Sequence, residues 1–148
     1  MRGGTESVPL IVALGKAAEL ARKHLPSYDK KVRPLRDALE DGILRTIPNT
    51  ELNGHKTQRL TNTTNITFRG IESEALLILL DQEGICASSG SACLADSDEP
   101  SHVIKAMKPD TAASRQMIRF SLGIETERKE IEQTVSVISR MTKLLNGD

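Results

Sequence analysis

Gln116-Met117-Ile118-Arg119-Phe120-Ser121-Leu122 sets Ile118 and Phe120 on one side of the chain and Met117, Arg119 and Ser121 on the other. Successive side chains of a strand point to opposite faces, so this alternation predicts a half-buried strand with Arg119 turned away from the apolar pair. Residues 64–69 repeat the pattern through Ile66 and Phe68. Downstream, Thr126 is placed to cap a helix with Glu127 and Glu130 in its first turn, which suits the macrodipole. Ile131, Val135, Ile138, Met141 and Leu145 form its inward stripe.

Upstream, residues 103–107 suit a helical turn or two. Ile85, Cys86 and Ala87 read as a buried strand that runs into Ser88-Ser89-Gly90-Ser91-Ala92-Cys93, small residues that favour no regular element. Ser73 can cap a helix over 74–83 that Gly84 ends. Pro, Asn and Gly over 48–54 signal turns. Residues 9–25 carry a helical stripe with Pro9 near the start and Pro26 as the stop, and residues 30–47 carry a second, with Pro34 in its first turn. The order is helix, helix, strand, helix, strand, loop, strand, helix. It predicts an α+β fold with helices packed on one face of a small, mainly antiparallel sheet.

With 148 residues the chain is the size of one domain, able to bury about 70% of its unfolded surface. Lys+Arg and Asp+Glu both number 20, so bulk charge points to no nucleic acid and no anionic membrane. Aromatic residues make up 2%, which leaves no base-stacking platform. The longest apolar runs, over 8–14 and 75–80, fall far short of the roughly 20 residues of a membrane span, and the first residues do not form a signal peptide. The expectation is a soluble, cytoplasmic protein. Two cysteines, Cys86 and Cys93, are too few for a disulfide framework and lack the paired spacing of a zinc site.

Cys93 ends a Ser/Gly loop and precedes Asp96, Ser97, Asp98, Glu99 and Pro100, which predicts an accessible thiol. An ordinary cysteine has a pKa of about 8.5, so a reactive Cys93 needs local help, and the acidic residues after it work the other way. Pattern alone admits both a reactive thiol and an inert loop cysteine. Cys86, in an apolar run, reads as a core residue. Arg119 on a rigid strand suits a two-point carboxylate clamp, although pattern alone favours a solvated outer-face arginine. Arg2-Gly3-Gly4-Thr5 offers amides, a hydroxyl and a charge beside a helix start, which can suit a phosphate. His24, His55 and His102 show no metal spacing.

The run SSGSAC at 88–93 closely resembles the active-cysteine signature of NifS/IscS-type cysteine desulfurases. Glu99-Pro100-Ser101-His102-Val103, Lys105-Ala106-Met107 and Ile118-Arg119-Phe120-Ser121-Leu122 resemble that family's continuation in the same order. Asn53-Gly54, Arg59-Leu60 and Asn65-Ile66 resemble its approach to the signature, and Arg2-Gly3-Gly4-Thr5 its phosphate-contacting turn. The resemblance covers essentially the whole chain and leans toward the nitrogen-fixation NifS type.

It implies a fold-type I pyridoxal 5'-phosphate enzyme, usually a homodimer, in which an active cysteine takes sulfur from L-cysteine as a persulfide and L-alanine leaves. By position Cys93 is the implied nucleophile, Arg119 the holder of the substrate carboxylate, and Thr5 a contact to the cofactor phosphate across the dimer interface. The length of the stretch 94–100 matches the long loop of the NifS/IscS group, which implies delivery of sulfur to an iron-sulfur scaffold protein.

In that family the Schiff-base lysine, the histidine stacked on the cofactor and the aspartate at its pyridine nitrogen all precede the RGGT-like turn. The expectation is therefore one C-terminal domain over 1–148, with 1–26 a helix toward a large cofactor-binding domain, and no turnover by the isolated chain. Asn53-Gly54-His55-Lys56 imitates the lysine motif out of order and without its Gly-Pro-Lys continuation, so Lys56 reads as a decoy. The alternative is a stand-alone sulfur-carrier or scaffold-docking module. A cysteine hydrolase is disfavoured, because no histidine shows a recognisable partnership with Cys93.

Overall fold

The computed structural model describes residues 3–90, 102–107 and 115–147. Helix α1 (Val8–Thr46) leads to strands β1 (Thr50–Leu52) and β2 (Thr63–Phe68) and helix α2 (Ser73–Gln82). A short helix α3 (His102–Met107), strand β3 (Met117–Ser121) and helix α4 (Arg128–Asn146) follow. The strands form one antiparallel sheet in the order β1-β2-β3, with Asn65 opposite Arg119 and Glu51 opposite Thr67. The α+β architecture is the one the alternation called for.

Period-two patterning decides where the core lies. Thr64, Ile66 and Phe68 of β2 share a face with Ile118 and Phe120 of β3, and all five are buried. Against this face pack Val32, Leu39 and Ile43 of α1 and Leu76 and Leu80 of α2, and Ile131, Ile138 and Met141 of α4 join the same core alongside α1 and α2. Each such side chain taken from water stabilises the fold by about 1.5–3 kcal/mol before entropy is counted. The opposite face carries Thr63, Asn65 and Thr67 beside Ser121, Arg119 and Met117.

Charged side chains fasten the segment between β1 and β2 to α1. The buried Arg36 guanidinium ion-pairs with Asp37 at 2.7 Å, which offsets the cost of burying its charge, and donates to the Leu60 carbonyl at 3.1 Å. Arg59 donates to the Thr63 carbonyl at 3.1 Å and ion-pairs with Glu40 at 3.0 Å, while the Thr64 hydroxyl donates to the same carboxylate at 2.6 Å.

Several expectations are corrected. The two helices expected over 9–25 and 30–47 are one 39-residue helix, Val8–Thr46, that contains Pro26 and Pro34. Each proline removes one amide and crowds one preceding carbonyl, and both losses are local. Near Pro26 the Ser27 hydroxyl donates to the His24 carbonyl at 2.8 Å, a back-bond of the kind that accompanies helix bends. Residues 50–52, expected as turn, pair with β2 as the edge strand β1. Ser73 is not the cap of α2: its hydroxyl donates to the Arg115 carbonyl at 2.8 Å, and Glu72 holds the cap position. At α4 the cap is Glu127, whose amide donates to the Glu130 carboxylate at 2.8 Å, while the Thr126 hydroxyl accepts from the Gly123 amide. Leu145, expected inward, is exposed, and Val137 and Thr142 are buried instead.

Candidate functional site

Strand β3 is held on both sides at Arg119. On one side lies Asn65 of β2, and on the other Ser88 forms an isolated antiparallel bridge. The Arg119 amide donates to the Ser88 carbonyl at 2.7 Å and the Ser88 amide to the Arg119 carbonyl at 3.1 Å. Residues 85–87, expected as a buried strand, form no strand of the sheet; the next residue, Ser88, makes this bridge.

Alternation places Asn53, Asn65 and Arg119 in one row across the sheet's outer face, with Ser88 beside Arg119. Asn53 is buried, and its amide nitrogen donates to Asn65 Oδ1 at 2.7 Å and to the Thr67 hydroxyl at 2.9 Å. The Asn65 amide in turn approaches Met117 Sδ at 3.0 Å. Networks of this kind are rigid when their members are satisfied, so the row forms a firm floor.

The Arg119 side chain stands exposed at the end of that row, and Nη2 donates to Ser88 Oγ at 3.4 Å. Among the described residues no carboxylate pairs with it. An arginine on a fixed strand presents a planar fork to an incoming carboxylate. Placed off the core face, Arg119 stands where the sequence put it.

Cys93 lies outside the described residues. Cys86, expected in the core, is exposed, which corrects that reading. Ile85 and Ala87 pack against the core, so the side chain between them turns outward. Thr5 is exposed three residues before α1, and no hydrogen bond among the described residues joins it to Arg119. Lys56 is also exposed. His55 Nδ1 accepts from the amides of Thr57 and Gln58, at 3.2 and 2.9 Å, which makes it a turn residue. Among the described residues no group of three His, Cys, Asp or Glu could hold a metal ion, and no helix is long and apolar enough to cross a membrane.

The role of Ser88 as neighbour of Arg119 was not visible in the sequence. The alternation of Asn65 with Ile66 could have flagged the outer row, but the pairing of residue 88 with 119 is a register fact.

The chain belongs to the aminotransferase class-V family, whose model matches residues 1–134. It is 51% identical over 146 residues to cysteine desulfurase 2 of Trichormus variabilis, covering 99% of this chain and 36% of that protein. Over 146 residues it is 44% identical to the cysteine desulfurase IscS of Methanosarcina thermophila, with the same two coverages of 99% and 36%. Among solved structures, a NifS-like protein from Rickettsia africae superposes with a TM-score of 0.81 at 30% identity, over 95% of this chain and 36% of that one. Another NifS-like protein gives 0.83 at 27% identity, over 97% and 36%. The chain thus spans about a third of the length of the proteins it matches.

Proposed function

We propose that this chain is the C-terminal part of a cysteine desulfurase that moves sulfur from L-cysteine onto Cys93 as a persulfide and releases L-alanine. The observation that carries the reading is Arg119: an exposed guanidinium with no carboxylate partner among the described residues, its backbone amide and carbonyl both bonded to Ser88, in a chain half identical to a cysteine desulfurase.

In this reading the Arg119 fork receives the substrate carboxylate through paired N–H donors, which orients the substrate thiol. The Cys93 thiolate attacks that sulfur; an S–S bond forms as the substrate's Cβ–S bond breaks, and the electron pair returns to the carbon skeleton, which takes up protons to become alanine. Thr5 would hold the phosphate of pyridoxal 5'-phosphate. Gly4 fits that use, because its φ of +132° turns the chain just before Thr5 and leaves the hydroxyl exposed. When bound, the cofactor supplies an electron sink for loss of the α-proton.

The rest of the reading follows the resemblance: a cytoplasmic homodimer of the nitrogen-fixation NifS type that hands sulfur to a scaffold protein for iron-sulfur cluster assembly. The exposed half of α1, residues 8–27, then docks on the large cofactor-binding domain.

The test is Cys93→Ser in the full-length enzyme. It keeps the cofactor absorbance band and forms no protein persulfide on addition of L-cysteine. Mass spectrometry that found the extra sulfur on Cys86 would overturn the assignment, and a chain that accepted sulfur without any cofactor-binding partner would support the carrier reading instead.

A further inference from the structure

We propose that Ser88 is a positioning residue for Arg119, setting the direction of the guanidinium that receives the substrate carboxylate; this rests on the reading of Arg119 as that clamp. The backbone of Arg119 is fixed by strand pairing, but four side-chain torsions separate it from the fork. An exposed arginine carries large rotamer entropy. Something beyond the strand must choose one rotamer, and Ser88 Oγ is the group the described residues place at Nη2, at 3.4 Å.

The hydroxyl is itself oriented. A serine hydroxyl has one proton and two lone pairs. Its proton goes to the Gly90 carbonyl at 2.9 Å, which leaves a lone pair for Arg119 and the other for the Gly90 amide at 3.4 Å. Ser88 therefore faces the guanidinium as an acceptor and cannot turn its proton toward it without giving up the shorter bond. Among the described residues this uses one of the five guanidinium N–H groups, which leaves donors for a bidentate carboxylate. The two-way backbone bridge between residues 88 and 119 keeps hydroxyl and guanidinium on adjacent chain segments at one register position.

The experiment uses the full-length enzyme loaded with cofactor and compares Ser88→Val with Ser88→Thr. Both are β-branched, suit a strand-like position and fill the same space, and they differ in the hydroxyl. Ser88→Val is expected to raise KM for L-cysteine about fivefold, the effect of one lost hydrogen bond, with kcat changed less than twofold. Ser88→Thr stays within twofold of the parent in both constants. In an Arg119→Lys background, where KM is already raised, Ser88→Val adds nothing further, because the two residues act as one unit. Equal KM values for the Val and Thr variants, alongside a raised KM in Arg119→Lys, overturn the role of Ser88 alone. An unchanged KM in Arg119→Lys overturns the clamp reading and the role of Ser88 with it.

Discussion

Two cysteines seven residues apart show what a single side chain's context decides. Cys86 has apolar neighbours in sequence, yet those neighbours face inward and so turn it out to solvent. Hydrophobic neighbours predict burial only when the period is known, and three residues are too few to reveal one. Arg119 was legible for the converse reason: strict alternation from Ile118 to Leu122 fixes its face. Capping followed the same logic. Ser73 and Thr126 carry the right hydroxyls, but other partners engage them: the Arg115 carbonyl, far along the chain, in one case, and the Gly123 amide, three residues back, in the other.

Asp29 supplies a prediction at this scale. Its carboxylate takes two hydrogen bonds from Arg33, at 2.7 and 3.2 Å, and one from the Thr61 hydroxyl. The Arg33 bonds, then the Thr61 bond, hold it below its ordinary value of 3.8. A carboxylate with a lowered folded-state pKa contributes stability that is complete above the unfolded value and is lost as pH falls through the folded one. Asp29→Asn should therefore lower the urea midpoint at pH 7, and the gap to the parent should persist down to about pH 4 and close below it. Urea titrations across that range check this, and a gap that widened on acidification would contradict the assignment.

At the scale of elements, the prolines in α1 mark the limit of local rules. Breaker residues are strong evidence about one hydrogen bond and weak evidence about a helix, because the turns on either side keep their own bonds. The edge strand β1 was hidden for a related reason: three residues between turn formers carry no readable period, and pairing with β2 alone makes them a strand. Packing between α1 and α4 rests on a feature that composition does not reveal. A Cβ built on Gly42 would stand 2.7 Å from Val135 Cγ2. Gly42→Ala gains about 1 kcal/mol of helix propensity but forces apart a packed contact, which costs about 1–3 kcal/mol. The variant is expected to lose about 1 kcal/mol net. Val135→Ala opens a cavity of its own, yet the double variant should recover stability relative to the sum of the singles, since the alanine at 135 makes room for the one at 42. A denaturant double-mutant cycle with no coupling would show that the helices part without strain.

For the whole molecule the most consequential feature is a helix that outruns its core. Residues 8–27 span roughly 30 Å, and every one of them is exposed, with Leu14 at 72%. Val8, Leu10, Ile11, Val12, Leu14, Leu20 and Leu25 would each gain about 1.5–3 kcal/mol on burial, a gain this chain leaves unused. A 20-residue helix that holds Gly15 and meets Pro26 is marginal in water without packing. Hydrogen exchange on the isolated chain should accordingly show protection that begins near Tyr28, whose hydroxyl reaches the Leu122 carbonyl at 3.2 Å, and that is weak from residue 8 to 27. In the full-length enzyme the same amides should become protected, because the proposed docking on the cofactor-binding domain covers the apolar side chains. Leu14→Glu should reverse that protection there while leaving the amides of β2 and β3 slow, since those strands draw their stability from a core that α1 enters only at Tyr28 and beyond. Equal exchange over 8–27 in the two forms would mean that this half of the helix has no partner within the enzyme, and the assignment of the segment as a docking helix would have to be given up.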